Sequence, residues 1–237
     1  AGALVFVDAV QYVPHGPVDV TALDCDFLAC SAYKFFGPHV GILYGKREHL
    51  EALTPHKVRP SKNAIPYRWE TGTLNHEGLA GVAAAVRYLA TVGELWDEPR
   101  VLEYMAAGDT PPRAALKAGM GAIKRYEASL SERLLTGLAR IEDITVYGVK
   151  ETTRLDERVP TVAFTWSRLS PRATCEYLSL KANICAWSGN YYALRLMERL
   201  GLEASGGACR IGCAHYNTPQ EIDTLLSVLA EAPRLGS

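Results

Sequence analysis

One lysine carries the most chemistry in this chain. Lys34 sits in Ala29-Cys30-Ser31-Ala32-Tyr33-Lys34-Phe35-Phe36-Gly37-Pro38, after one apolar run and ahead of a second, Val40 to Gly45. Burial between two strand-like runs would penalise its charged form and lower its pKa. An amine of that kind is a nucleophile whose signature reaction is a Schiff base with an aldehyde. The competing reading is a lysine at a strand end whose ammonium snorkels to water, and for a lone lysine that reading has the better odds.

The element upstream shifts those odds. Val5-Phe6-Val7-Asp8 reads as a short strand ending in a carboxylate, with Gln11 three residues on. Ligands in α/β proteins sit at strand ends. An Asp there either caps the following turn or holds a proton on a ring nitrogen, the pairing that lets pyridoxal phosphate act as an electron sink. Asp8, Gln11, Ser31 and Lys34 in this order favour the second reading.

The stretch from Val5 to Gly45 resembles the class V aminotransferase group of fold-type I pyridoxal-phosphate enzymes, which includes the cysteine desulfurases. The shared pattern is a strand, Asp-x-x-Gln, a Pro-His turn (Pro14-His15), an Asp-Phe-Leu strand (Asp26 to Leu28), Ser-x-x-Lys and Gly-Pro-x-Gly, the last matched only in part by Gly37-Pro38-His39-Val40-Gly41. The resemblance implies that Lys34 forms the internal aldimine with pyridoxal 5'-phosphate. It implies that Asp8 pairs with the pyridinium nitrogen, Gln11 bonds the ring hydroxyl and Ser31 holds the phosphate. Members usually carry His immediately before the lysine; here that position is Tyr33.

Two later segments extend the resemblance. Arg68 to Asn75 is similar to a Gly-Thr loop which, in the family, crosses a dimer interface to the partner's cofactor phosphate. Gly72 and Thr73 are therefore implied cofactor residues, and a homodimer is implied with them. Glycine lets backbone approach a phosphate and Thr73 adds a hydroxyl donor. Cys209 to Ile222 is similar to the family's C-terminal block, which makes Arg210 the implied clamp on a substrate α-carboxylate through a bidentate fork. Thr218 reads as a helix N-cap, with Glu221 completing a capping box.

Composition agrees with an enzyme of this kind. The 237 residues are 48% hydrophobic, enough for a sizeable core, and the net charge of −1 gives no reason to expect nucleic acid. No apolar run reads as long enough to span a bilayer, and no basic segment marks a signal peptide. The cysteines at 25, 30, 175, 185, 209 and 213 form no Cys-x-x-Cys pair and read as reduced core thiols of a cytoplasmic protein. A metal at Cys209 and Cys213 is disfavoured, because Arg210 lies between them and no second ligand pair accompanies them.

These residues need elements to hold them. Strands are predicted over 4–8, 26–31 and 40–45, a helix over 77–89, short helices and loops over 94–112, and a long amphipathic helix over 114–141. Strands over 144–147, 159–166, 183–187 and 208–213 alternate with helices over 171–181, 190–200 and 219–231. The implied fold is α/β: part of the fold-type I large domain, with a mostly parallel sheet and helices, over 1–113. A linking helix over 114–141 and a small α+β domain over 142–237 follow. A full-length member carries a long segment ahead of this point, with a phosphate loop, a ring stacked on the cofactor and further strands. The resemblance therefore covers the second half of the family fold.

The reaction is read from departures. In cysteine desulfurases a small-domain Cys takes sulfur from the substrate as a persulfide. Alignment over Ile184 to Ala193 puts Tyr192 at that position, and Trp187 where many members carry arginine. A phenol accepts no sulfane sulfur, and Cys185 reads as a core residue on the strand. Tyr191 and Tyr192 either line the substrate pocket, act as a general acid, or pack at the start of a helix. The favoured expectation is a desulfurase-like enzyme acting on an amino acid without a dedicated acceptor thiol. The alternatives are an aminotransferase proper, a C–S lyase, a non-catalytic relative, or an inactive fragment.

Overall fold

The computed structural model describes residues 2–232. The chain divides into two compact units, Ala1–Ile123 and Lys124–Ser237.

The first unit is built on β1 (Phe6–Asp8), β2 (Phe27–Ser31) and β3 (Gly41–Gly45), with helices α1 (Val20–Leu23), α2 (Arg47–Ala52), α3 (His76–Trp96) and α4 (Glu98–Ala106), and the first part of α5 (Pro111–Leu138). β1 and β2 run parallel, with Asp8 opposite Ala29. β2 and β3 run antiparallel, with Ser31 opposite Gly41. Connection length explains the mixture. The chain between β1 and β2 has room for a crossover, whereas the tight turn of residues 32–40 can only reverse direction. The described sheet thus pairs one parallel and one antiparallel neighbour where a mostly parallel sheet is expected of the large domain.

Asp26 ties this sheet together at one end. Its carboxylate accepts the Val5 N–H at 2.7 Å, meets His49 Nε2 at 2.8 Å and lies 3.4 Å from Lys46 Nζ. The backbone bond from Val5, then His49 and Lys46, hold its pKa down at about 2.

α3 outruns its predicted span. By length and apolar content it is sufficient to cross a membrane, contrary to the sequence reading that no run is. Gly78, Ala85, Leu89 and Gly93 are its buried residues. Two glycines let it meet α5 closely: a Cβ on Gly93 would lie 2.1 Å from Ala115 O, and one on Gly119 would lie 2.0 Å from Leu89 O. The two prolines that open α5 occupy its first turn, where a missing N–H costs no helical bond.

The second unit holds an antiparallel sheet in the order β4-β5-β7-β6, from β4 (Ile144–Tyr147), β5 (Thr161–Trp166), β6 (Trp187–Gly189) and β7 (Ala208–Gly212). α6 (Pro171–Ala182), α7 (Leu194–Leu200) and α8 (Pro219–Ala230) accompany it. Val162, Phe164 and Trp166 alternate inward along β5, the period-two signature of a sheet with one covered face. They join Leu130, Leu134 and Leu138 of α5, Leu178 of α6, and Ile222, Leu225 and Leu229 of α8 in one core. Thr218 and Glu221 form the complete capping box at the start of α8.

Around residue 190 two elements start later than expected. The strand predicted over 183–187 is found at Trp187–Gly189, and the helix predicted over 190–200 begins at Leu194. Tyr191 and Tyr192 adopt left-handed backbone, φ 54° and 60°, which an α-helix does not accept.

Candidate functional site

The parallel pair delivers the first two side chains. Asp8 ends β1, level with Ala29, and Ser31 ends β2 two residues further along. Ser31 is the residue before a 3₁₀ turn over Ala32–Phe35, and its hydroxyl makes no capping bond there. Ala32 and Phe35 anchor that turn in the core with Ala85 and Leu89 of α3. Phe36 closes it in left-handed backbone, φ 70°, with its N–H on Ala32 O. The anchored turn holds Lys34 beyond the strand ends, half-buried rather than enclosed between strands as the sequence suggests.

Lys34 Nζ donates to Gln11 Oε1 at 3.5 Å. Gln11 lies just beyond β1 and Asp8, whose Oδ1 accepts the Val10 N–H at 3.0 Å. Lys34 makes no ion pair among the described residues. Asp8, Gln11, Ser31 and Lys34 are thus collected at one end of the parallel pair. Tyr33 stacks on His39 with ring centroids 4.8 Å apart, and its ring also lies 5.5 Å from Lys34 Nζ. That contact of Tyr33 with His39 was not foreseen. Gly72, φ 81°, and Thr73 occupy the exposed loop ahead of α3.

The donor set suits pyridoxal phosphate. It offers a carboxylate for a ring nitrogen, an amide for a ring oxygen, an uncommitted hydroxyl for a phosphate and an amine for an aldehyde. The second oxygen of Asp8 and the hydroxyl of Ser31 have no partner among the described residues.

Arg210 lies in the second unit, at the middle of β7, between Ala163 of β5 and Trp187 of β6. It is half-buried, and among the described residues it makes no hydrogen bond or ion pair. Its guanidinium carbon rests 4.7 Å from the centre of the Tyr191 ring. Sequence reasoning missed this contact; the only signal was the Tyr191-Tyr192 pair itself. The Tyr191 hydroxyl donates to Ala208 O, with Trp187 O at 3.4 Å. Burial pushes the Tyr191 phenol well above its ordinary pKa, so it stays protonated. Tyr192 is fully exposed.

The cysteines are all free. Cys185 is exposed, not a core residue: the strand starts at Trp187, two residues beyond it, and leaves it on the preceding segment. Cys175 and Cys209 approach to 3.5 Å between sulfurs. Burial raises the pKa of the Cys209 thiol, and raises that of Cys213 to about 11.

Comparison with known proteins matches the aminotransferase class-V family model to residues 1–103 and 113–225. A cysteine desulfurase of Pectobacterium atrosepticum is 32% identical over 248 residues, covering 99% of this chain and 52% of its own length. Among solved structures, the apo cysteine desulfurase of Thermococcus onnurineus superposes with a TM-score of 0.77 at 28% identity, covering 97% of this chain and 52% of its own. The Escherichia coli cysteine desulfurase CsdA, in its S-sulfonic acid form, gives a TM-score of 0.70 at 27% identity, covering 96% and 51%. The chain spans about half the length of the relatives it matches.

Proposed function

The chain belongs to the aminotransferase class-V family, and on that premise we propose that it is the Lys34-bearing part of a pyridoxal-phosphate enzyme acting on an amino acid. The observation that carries this reading is the approach of Lys34 Nζ to Gln11 Oε1, 3.5 Å, at the strand end where Asp8 closes β1. When bound, the cofactor withdraws electrons from the substrate Cα. Asp8 holds a proton on the ring nitrogen and keeps that withdrawal strong. Gln11 bonds the ring hydroxyl and Ser31 the phosphate. Lys34 Nζ would be the amine that holds the cofactor's aldehyde, and, once displaced by the substrate amine, it would be free to serve as the base for the Cα proton. Arg210 binds the substrate α-carboxylate: a half-buried guanidinium with no anion beside it among the described residues has its whole donor fork to offer. The molecule is a homodimer in which the Gly72-Thr73 loop reaches the partner's phosphate site; the left-handed Gly72 supports a close backbone approach. Six unbridged cysteines suit a cytoplasmic setting.

The chemistry is desulfurase-like without a persulfide on residue 192, since Tyr192 offers a phenol. Transamination and C–S lysis are the alternatives at the same Cα. The protein is tested by adding pyridoxal phosphate, recording the visible spectrum, then reducing with borohydride and mapping the peptides. A visible band and a cofactor adduct on Lys34, both lost in Lys34→Ala, are expected. An adduct on another lysine, or none, overturns the assignment. With a panel of amino acids, alanine plus sulfide from cysteine identifies desulfuration, pyruvate plus sulfide identifies elimination, and a keto acid with pyridoxamine phosphate identifies transamination.

A further inference from the structure

We propose that Tyr191 is the positioning residue for Arg210, setting the plane in which its guanidinium meets a substrate carboxylate. This rests on the carboxylate role given to Arg210 above. An arginine without a salt bridge samples many rotamers, and each one it gives up on binding weakens the ligand. Stacking on an aromatic face removes that freedom while leaving the in-plane N–H groups unused. Arg210 is in this condition: its guanidinium carbon is 4.7 Å from the Tyr191 ring centre, and no hydrogen bond or ion pair consumes its donors among the described residues.

The platform is itself held. The Tyr191 hydroxyl donates to the carbonyl of Ala208, two residues before Arg210 in the same strand. Ring and guanidinium therefore take their position from one element, β7. The backbone accepts a cost to put the ring there. Tyr191 and Tyr192 are consecutive non-glycine residues in the left-handed region, φ 54° and 60°, a conformation that bulky side chains disfavour. The stack covers one face of the guanidinium, so a planar carboxylate approaching edge-on is the ligand it favours.

The test uses the chain with pyridoxal phosphate, L-alanine as carboxylate probe and ethylamine as the probe lacking it. NMR follows the Arg210 Nε–H signal, assigned by its loss in Arg210→Ala. In the unaltered chain the signal carries a ring-current displacement and moves on adding L-alanine. Tyr191→Leu is expected to abolish the displacement and to weaken L-alanine by about tenfold while leaving ethylamine unchanged. Tyr191→Phe keeps the stack and loses only the bond to Ala208; it should retain the displacement and weaken L-alanine by no more than about threefold. On an Arg210→Ala background, Tyr191→Leu should cost nothing further. The proposal falls if Tyr191→Leu leaves shift and L-alanine affinity intact, or weakens both probes equally. Should Tyr191→Leu fail to fold, Tyr191→Phe decides alone, and loss of the displacement in that variant counts against the proposal. If Arg210→Ala leaves L-alanine affinity unchanged, the carboxylate reading fails and this proposal with it.

Discussion

The two ends of the β2–β3 pair are built on opposite plans. At one end, Lys46 Nζ lies 2.7 Å from Asp24 and 3.4 Å from Asp26, and His49 shares the Asp26 carboxylate. Lys46 there has two internal counter-charges. At the other end, Lys34 has an amide at 3.5 Å and, among the described residues, no carboxylate partner. The second unit repeats the contrast with arginines. Arg158 spends its fork on the carbonyls of Val159, Val149 and Thr161, at 3.1, 2.6 and 2.7 Å. Arg210, in the strand paired with β5, spends none among the described residues. Saturated cations hold the fold. Lys34 and Arg210 keep unused donors among the described residues. Hydrogen-bond accounting separates the two kinds where residue type cannot.

Substitutions at the two lysines should break that contrast most visibly. Lys34→Ala is expected to lower turnover by between about 10² and 10⁴-fold, the range for losing a general base, with the urea midpoint unmoved. Lys46→Ala should do the reverse, lowering the midpoint and leaving turnover within about twofold. Unfolding curves and initial rates on both variants check this, and a stability loss in Lys34→Ala would erase the distinction.

The arginines should follow at smaller magnitude. Arg210→Ala is expected to weaken amino-acid binding by about 2–4 kcal/mol without a change in stability. Arg158→Ala strands carbonyls at the edge of the second unit's core and should destabilise that unit by about 2 kcal/mol, with substrate affinity intact. Calorimetric titration and denaturant unfolding of the same pair of variants separate the effects.

The smallest effect is one of pH. The pKa of Asp26 is depressed in the folded chain to about 2, below its unfolded value. Its contribution is therefore present in full above the unfolded pKa, about 4, and fades as pH falls from there through about 2. Asp26→Asn should be less stable at neutral pH and show a flatter acid limb. An unchanged slope between those pH values would show that Asp26 is no part of the structural end.

Much of the fold was open to sequence reasoning. The strands near 6–8, 27–31 and 41–45 follow from short apolar runs bounded by breakers, and α5 follows from its three-to-four-residue apolar spacing. The capping box at Thr218 and Glu221 is a local pattern and was read directly. Local signals failed where backbone choice was not local. Nothing in Asn190-Tyr191-Tyr192 announces left-handed backbone, which delays the helix to Leu194.

By itself the sequence determined which groups are available: an amine, a carboxylate, an amide and a hydroxyl in the order of a known family, and a phenol at position 192. Their identities and spacing are covalent facts. Tertiary structure alone decided which cations are left uncommitted, and that an aromatic ring lies under Arg210. Partnering depends on distances between segments far apart in the chain. A residue such as Arg210 looks the same in sequence whether a carbonyl, a carboxylate or only a tyrosine face awaits it.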